Sequence, residues 1–142
     1  MSALLTVDEA LALIESQAQP LPPQEVLLHQ ALGLRLAADV KSDVDSPPHD
    51  KSVMDGYAVI SSDSASERRV LEEVIAGTVP TQKVVLGAAT RIMTGAPIPD
   101  GADAVVPVEQ ATLLENNSVR FANQHPNPGQ LIMRRGESVR AG

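Results

Sequence analysis

The chain has 142 residues, a formal net charge of −7, no cysteine and an aromatic content of 1%. The acidic balance opposes binding to a phosphate backbone and the scarcity of aromatic rings opposes base stacking, so nucleic acid is excluded as a partner. Because the chain has no cysteine, disulfides and thiolate metal sites are excluded as well. Because no apolar stretch reaches the length of a membrane span and the N-terminal residues lack a basic region followed by an apolar run, we expect no membrane association and a cytoplasmic location.

The N-terminal segment predicts one capped helix. Thr6 and Glu9 stand at capping-box spacing, which satisfies two free amide groups of a helix start. Apolar residues then recur at helical spacing from Val7 to Ala18, and Pro20 ends the pattern. We expect the apolar face to pack on its own domain; the alternative is docking to a partner subunit.

Two further elements are predicted before residue 41. A helical turn from His29 to Leu32 ends at Gly33, which suits a left-handed cap. Apolar and polar residues then alternate over 34–40, which predicts a half-buried strand. Beyond it, Asp43, Asp45 and Asp50 raise the question of a cation site, but their order does not match a calcium loop, and solvated loop charges are the better interpretation.

The segment 54–122 has the pattern of a compact β-domain. Residues 61–69 are polar and predict a surface loop. Strands are predicted over 70–76, 83–86 and 104–108, and a hairpin joins 111–114 to 118–122. For 70–76, the central Glu72 and Glu73 leave a helical turn as the alternative. Pro107 cannot donate to a strand ladder, so its strand is expected at a sheet edge or a bulge.

The stretch 46–60 is the first candidate for a site. Pro47 and Pro48 restrict the approach, Asp55 and Gly56 predict a tight turn, and a strand begins at Tyr57. A carboxylate is thereby held at a rigid corner. For an isolated Asp-Gly pair, the ordinary interpretation is a solvated hairpin turn.

A second candidate is the loop that starts at Thr94. Gly95 would let a ligand approach the backbone, the Thr94 hydroxyl can donate or accept, and Pro97 fixes the loop. The same residues also suit a plain connection between a strand and a turn. Only the fold could bring Thr94 near Asp55.

These two blocks resemble the signature of the molybdopterin molybdenumtransferase family, which includes the MoeA proteins and the gephyrin E-domain. The first block resembles the family's Pro-Pro-Phe-Asp-Asn-Ser-x-Met-Asp-Gly-Tyr-Ala pattern, with His49 and Lys51 as departures and with matches at Ser52, Met54, Asp55, Gly56, Tyr57 and Ala58. The second block, 91–106, resembles the family's Ile-x-Thr-Gly-Ala-x-x-Pro-x-Gly-Ala-Asp-Ala-Val-Val run.

The segment 134–137 permits two interpretations. Arg134 and Arg135 could bind an oxyanion through their guanidinium groups, or they could form a charged turn, which we favour. The family pattern here is Gly-x-Asn-x-Arg-x-x-Gly-Glu-Asp, from which Leu131, Met133 and Ser138 depart. No site role is therefore assigned to this segment.

Pattern and resemblance together predict an α+β fold. A helical and extended dimerisation region would comprise residues 1–53 and 123–142, and a compact β-rich, barrel-like domain would comprise 54–122. The resemblance implies that a pterin-binding domain and a C-terminal β-domain follow beyond Gly142. It further implies a homodimer with a composite site between subunits, so we expect the chain alone to be catalytically silent.

The activity implied by the resemblance is insertion of molybdate into adenylylated molybdopterin with release of AMP, assisted by Mg²⁺. Asp55 and Thr94 would be catalytic, and Asp55 would also be a metal ligand. The implied substrate-binding residues are Ser52, Asp55, Gly56, Thr94 and Gly95. Molybdopterin adenylyltransferase is an expected partner. The alternative is a dimerising scaffold that binds other proteins without catalysis.

Overall fold

The computed structural model of the chain describes residues 4–122 and 125–142. Two compact units are present: the first ends at Val40, and the second is Lys41–Gly142. The domain boundaries predicted near residues 53 and 122 stay predictions, and residues 123 and 124 at the second boundary lie outside the described ranges.

The first unit begins with the predicted helix, α1 (Val7–Gln17). Its capping box is confirmed: the Thr6 hydroxyl oxygen accepts from the Glu9 N–H at 3.3 Å, and the Thr6 N–H donates to the Glu9 carboxylate at 2.8 Å. A 3₁₀ turn follows at Leu28–Gln30, and Gly33 has the expected positive φ of 84°. None of the helices in the described ranges is long and apolar enough to cross a membrane.

The first unit has no core of its own. Every described residue from 4 to 40 is exposed or at most half-buried, including the apolar face of α1. The predicted packing of that face on its own domain is therefore wrong, and so is the strand predicted over 34–40, which the described backbone does not form. Alternating residues make a strand only when a neighbouring strand completes the hydrogen-bond ladder.

The second unit is mostly β-structure. Its strands are β1 (Lys51–Ser52), β2 (Gly56–Val59), β3 (Arg68–Val74), β4 (Ala88–Ile92), β5 (Ala104–Pro107), β6 (Ala111–Leu113), β7 (Ser118–Phe121) and β8 (Ile132–Met133). The short strands β1 and β8 pair with each other, and the other six form one sheet in the order β5-β2-β4-β3-β7-β6. This sheet curls into a half-barrel. Among the described strand pairs of this sheet, β3–β4 is parallel and the other four are antiparallel.

Several predicted strands are confirmed. Strands β2, β3 and β5 lie where the pattern placed them, and β6 and β7 form the predicted hairpin. Pro107 ends β5, which lies at the sheet edge as expected. The strand predicted over 83–86 is wrong: Val84 is buried there in irregular backbone that precedes a turn at residues 86 and 87. Central strand β4 was not predicted, because Ala88, Ala89 and Thr90 give a weak strand signal.

The core occupies both faces of the sheet. Neighbouring residues of a strand point to opposite faces, so Tyr57 and Ala58 enter different clusters. One cluster contains both aromatic rings, those of Tyr57 and Phe121, packed edge to face with centroids 5.7 Å apart. The other is entirely aliphatic and centres on Ile92.

A buried ion pair closes one end of the first cluster. The Arg68 Nε donates to Asp63 Oδ2 at 2.9 Å, with side-chain exposures of 0% and 5%, and the Arg68 guanidinium lies 5.1 Å from the centroid of the Phe121 ring. The surface loop predicted over 61–69 is therefore wrong at three positions, since Ser61, Asp63 and Arg68 are all buried. Paired charges can be buried where isolated ones cannot.

Candidate active site

Gly56 does not form the tight turn that the sequence predicted. Gly56 is the first residue of β2 and does not have a left-handed φ. A Cβ added there would lie 2.1 Å from the carbonyl oxygen of Val106 in β5, so glycine is required because the neighbouring strand approaches closely. Asp55 therefore stands at the entrance of a central, fully buried strand.

The fold brings Asp55 and Thr94 into contact. One carboxylate oxygen, Oδ1 of Asp55, accepts both the Thr94 N–H at 2.7 Å and the Thr94 hydroxyl at 2.6 Å. Both residues are exposed, and the Asp55 carbonyl accepts from the Val108 N–H at 3.1 Å, which fixes the backbone behind the carboxylate. The two sequence blocks thus meet at one exposed corner.

The surroundings of Asp55 favour its ionised form. The Thr94 hydroxyl, then the Thr94 N–H, and then the positive charge of Arg91 hold the pKa of Asp55 below its ordinary value. Both hydrogen bonds from Thr94 end on Oδ1 of Asp55. Within the described part of the chain, the other carboxylate oxygen, Oδ2, makes no hydrogen bond. An oriented, negatively charged oxygen therefore faces solvent.

Ser52 and Gly95 form hydrogen bonds that shape the loop beside Asp55. The Gly95 N–H donates to the Ser52 carbonyl at 2.8 Å, the Ser52 N–H donates to the Ala96 carbonyl at 2.9 Å, and Gly95 has a φ of 82°. Ser52 is 1% exposed and its hydroxyl donates to the Met54 carbonyl at 2.6 Å. These contacts shape the loop, and the substrate-binding roles of Ser52, Gly56 and Gly95 stay predictions.

Asp103 supports the same sheet and was missed from the sequence. Its two carboxylate oxygens accept the Ser61 N–H at 2.6 Å and the Ser61 hydroxyl at 2.7 Å. These bonds fix the end of β2 against the segment that leads into β5. The available signal was the Gly-Ala-Asp run of the second block, which contains Asp103.

The donor set for a metal ion is small. Among residues 4–122 and 125–142, no three or more His, Cys, Asp or Glu side chains cluster as a metal site. Asp55 supplies one free carboxylate oxygen, which suits Mg²⁺ when phosphate oxygens and waters complete its octahedral shell. The residues of this chain therefore fit Mg²⁺ only as part of a larger ligand set.

The two arginines of the segment 134–137 are engaged by aspartates. Arg134 binds the Asp50 carboxylate and Arg135 binds the Asp45 carboxylate, each at 2.6 Å. The Arg135 N–H also donates to Asp50 at 2.8 Å, and the Ala141 N–H donates to Asp45 at 3.0 Å. These bonds favour the charged turn over an oxyanion site, and they hold the segment 45–50 against the C-terminal segment.

The chain is similar to proteins of known family. A family model described as the MoeA N-terminal region (domain I and II) matches residues 5–142. The molybdopterin molybdenumtransferase of Staphylococcus aureus strain Mu50 is 33% identical over 156 aligned residues, which cover 97% of this chain and 37% of that protein. The chain thus spans little more than a third of the length of this relative.

Two solved structures have the same fold. The crystal structure of the molybdopterin biosynthesis MoeA protein from Pyrococcus horikoshii OT3 matches with a TM-score of 0.74 and 36% identity, over 84% of this chain and 33% of its own. A second MoeA structure from Pyrococcus matches with a TM-score of 0.75 and 29% identity, over 99% and 37%.

Proposed function

Because this chain belongs to the MoeA family of molybdenum cofactor biosynthesis, we propose that it supplies one side of an active site that inserts molybdate into adenylylated molybdopterin and releases AMP. The observation that carries the proposal is the contact between Asp55 and Thr94. It joins the two sequence blocks into an exposed, ionised carboxylate with one oxygen left open.

Asp55 is the proposed catalytic group. Its open Oδ2 would hold Mg²⁺, which when bound neutralises phosphate charge. The carboxylate would also orient the oxygen that approaches the phosphoanhydride, and such positioning accounts for a large share of catalysis in phosphoryl chemistry.

Thr94 would act chiefly by holding Asp55. Both of its donors are already used by the carboxylate, so its hydroxyl can offer only lone pairs to a substrate. The family resemblance implied that Thr94 is catalytic and binds substrate. The contacts instead support a positioning role, in which Thr94 fixes one carboxylate oxygen and thereby directs the other outward.

We propose that the exposed apolar side chains of the first unit contact a second copy of the chain. Segment 4–40 exposes a series of large apolar side chains, among them Leu11 at 53% and Ile14 at 63% on α1. A segment this short cannot build a core alone, so a homodimer interface is the economical use of these side chains. Leu11→Asp should yield a monomer in light scattering, whereas Gln19→Asp, which adds the same charge beyond the helix, should not.

The central experiment is molybdate-dependent release of AMP from adenylylated molybdopterin. The protein would be this chain joined to the C-terminal remainder of the Staphylococcus aureus relative, with that relative itself as the positive control. We expect release by the joined protein, none by this chain alone, and a large loss in Asp55→Ala. Asp43→Ala is the matched control, because it removes an exposed loop carboxylate without a role in the site.

Retained turnover in Asp55→Ala would remove that residue from the mechanism. Full activity in the isolated chain would contradict the composite site. Delivery of the substrate by molybdopterin adenylyltransferase and a cytoplasmic location remain predictions of the same account.

The exposed apolar side chains of segment 4–40 also favour a second candidate, an interaction scaffold. A scaffold would tolerate Asp55→Ala and would lose partner binding in Leu11→Asp. Asp55→Ala therefore separates the candidates.

A further inference from the structure

Arg91 lies beside the Asp55 corner. It stands in β4 directly opposite Tyr57 of β2, which places it two residues along the chain from Asp55 across the strand pair and three residues before Thr94. The strand register therefore fixes its backbone beside the proposed site. No role was assigned to it from the sequence, although it opens the second block.

Two contacts hold the Arg91 guanidinium in one orientation. Its Nε pairs with Glu73 Oε2 at 3.0 Å across the parallel β3–β4 ladder, and its Nη1 donates to the Tyr57 hydroxyl at 3.2 Å. The guanidinium carbon also lies 5.8 Å from the centroid of the Tyr57 ring, within range of a cation–π interaction. Tyr57 is 1% exposed, so this anchor is rigid.

The remaining guanidinium donors are open. Arg91 has five N–H groups, and the described residues engage only the Nε and one Nη1 group. The Arg91 side chain is 35% exposed, so these donors are accessible from solvent. A planar guanidinium with free donors suits a phosphate or another tetrahedral oxyanion.

The two neighbouring glutamates of β3 do not cancel the positive charge of Arg91. Glu72 accepts the N–H groups of Thr81 and Gln82, each at 2.9 Å, and the Thr81 hydroxyl at 2.6 Å, so its carboxylate is directed to that loop. Glu73 lies on the Nε side of Arg91. It attenuates the charge without occupying the Nη2 donors.

We propose that Arg91 is the oxyanion-recognising residue of the Asp55–Thr94 site, where its Nη donors receive an oxygen of a phosphate or molybdate group of the substrate. This deepens the proposed function and rests on it. Tyr57 and Glu73 are the positioning residues that hold the guanidinium. A cation here also offsets the repulsion between the Asp55 carboxylate and an anionic substrate.

The kinetic test compares four forms of the joined protein. Arg91→Ala should raise KM for adenylylated molybdopterin about tenfold, since a charge-assisted hydrogen bond is lost, with a smaller change in kcat. Arg91→Lys should recover part of that loss. Glu73→Gln keeps an acceptor for Nε but removes the opposing charge, so it should lower KM. A purely structural ion pair would instead make Glu73→Gln and Arg91→Lys as harmful as Arg91→Ala.

Arg120→Ala is the matched control, because Arg120 also lies on a strand of the same sheet and pairs with an exposed glutamate, Glu67. It should leave KM unchanged. Equal KM values in Arg91→Ala and Arg120→Ala would overturn the proposal.

A second measurement does not depend on turnover or on the stability of any variant. In the wild-type 142-residue chain, added inorganic phosphate should shift the NMR signal of the Arg91 Nε–H group, while sodium chloride at equal ionic strength should not. The Arg120 Nε–H signal should stay in place. If phosphate moves both signals or neither, Arg91 is not an oxyanion site. If only AMP release fails, the proposed reaction fails while the anion site stands.

Discussion

Asp63→Asn tests the buried ion pair that anchors the β-domain. The substitution keeps the shape of the side chain and removes its charge, so the Arg68 guanidinium, 0% exposed, loses its ion pair with the Asp63 carboxylate. Oδ2 of Asp63 also accepts the Gly87 N–H and Oδ1 accepts the Ala65 N–H, both at 2.9 Å, so the carboxylate joins three segments. Removing one member of a buried pair typically costs about 3–5 kcal/mol.

Urea denaturation followed by tyrosine fluorescence measures this cost. The chain has one tyrosine, Tyr57, which is buried in the same cluster as Phe121, and no tryptophan. The control is Glu67→Gln, which breaks the exposed pair with Arg120 and should change the unfolding free energy by no more than about 1 kcal/mol. A loss in Asp63→Asn as small as that of the control would refute the reasoning.

The pH dependence has a definite sign. Burial raises the pKa of Asp63, but the N–H groups of Ala65 and Gly87 and the charge of Arg68 outweigh it, and the net pKa lies below the ordinary value. The stabilisation of the fold by ionised Asp63 is therefore fully present above the pKa of the unfolded state, about 3.9, and is lost as the pH falls through the lower pKa of the folded state. The difference in unfolding free energy between wild type and Asp63→Asn should decrease below about pH 4.

Three further predictions concern the corner and the helix. Gly56→Ala should lower the unfolding free energy by at least about 2 kcal/mol in urea, because its Cβ meets a backbone oxygen of β5, whereas Gly87→Ala, with open space around it, should cost about 1 kcal/mol for its positive φ alone. Thr6→Ala should reduce helix content in circular dichroism, with a cost of about 1 kcal/mol for the lost cap. Thr94→Val should raise the pKa of Asp55 toward its ordinary value in a carboxyl NMR titration, since the lost hydroxyl bond is the largest cause of its lowering; an unmoved midpoint would contradict this.

The sequence predicted elements whose signal is local. The capping box at Thr6 needs only residues within one helical turn, and the β6–β7 hairpin needs only its own turn and alternation. Strand β4 was missed because its place in the sheet depends on partners far along the chain, β2 and β3, which bury small residues such as Ala89. The strand predicted over 34–40 shows the reverse error, since the alternating residues there have no partner strand among the residues that the structure describes.

The residues of the site were predicted from the sequence, but their arrangement in space was not. Asp55 and Thr94 were identified from their resemblance to family blocks, and only the fold shows that both Thr94 donors converge on one carboxylate oxygen. The Asp63–Arg68 pair could not be read from a polar run, because burial of charges depends on their partner and on the Phe121 ring above them. Gly56 was assigned to a turn because an Asp-Gly pair cannot reveal how closely β5 passes.

The most direct test of the central claim is a double-mutant cycle on the rate of AMP release, with wild type, Asp55→Ala, Thr94→Val and the double variant of the joined protein. If Thr94 acts by holding the Asp55 carboxylate, Thr94→Val lowers the rate on its own, and the double variant is no slower than Asp55→Ala. Losses that simply multiply would show that the two residues act independently, and wild-type rates in Asp55→Ala would show that the corner is not catalytic.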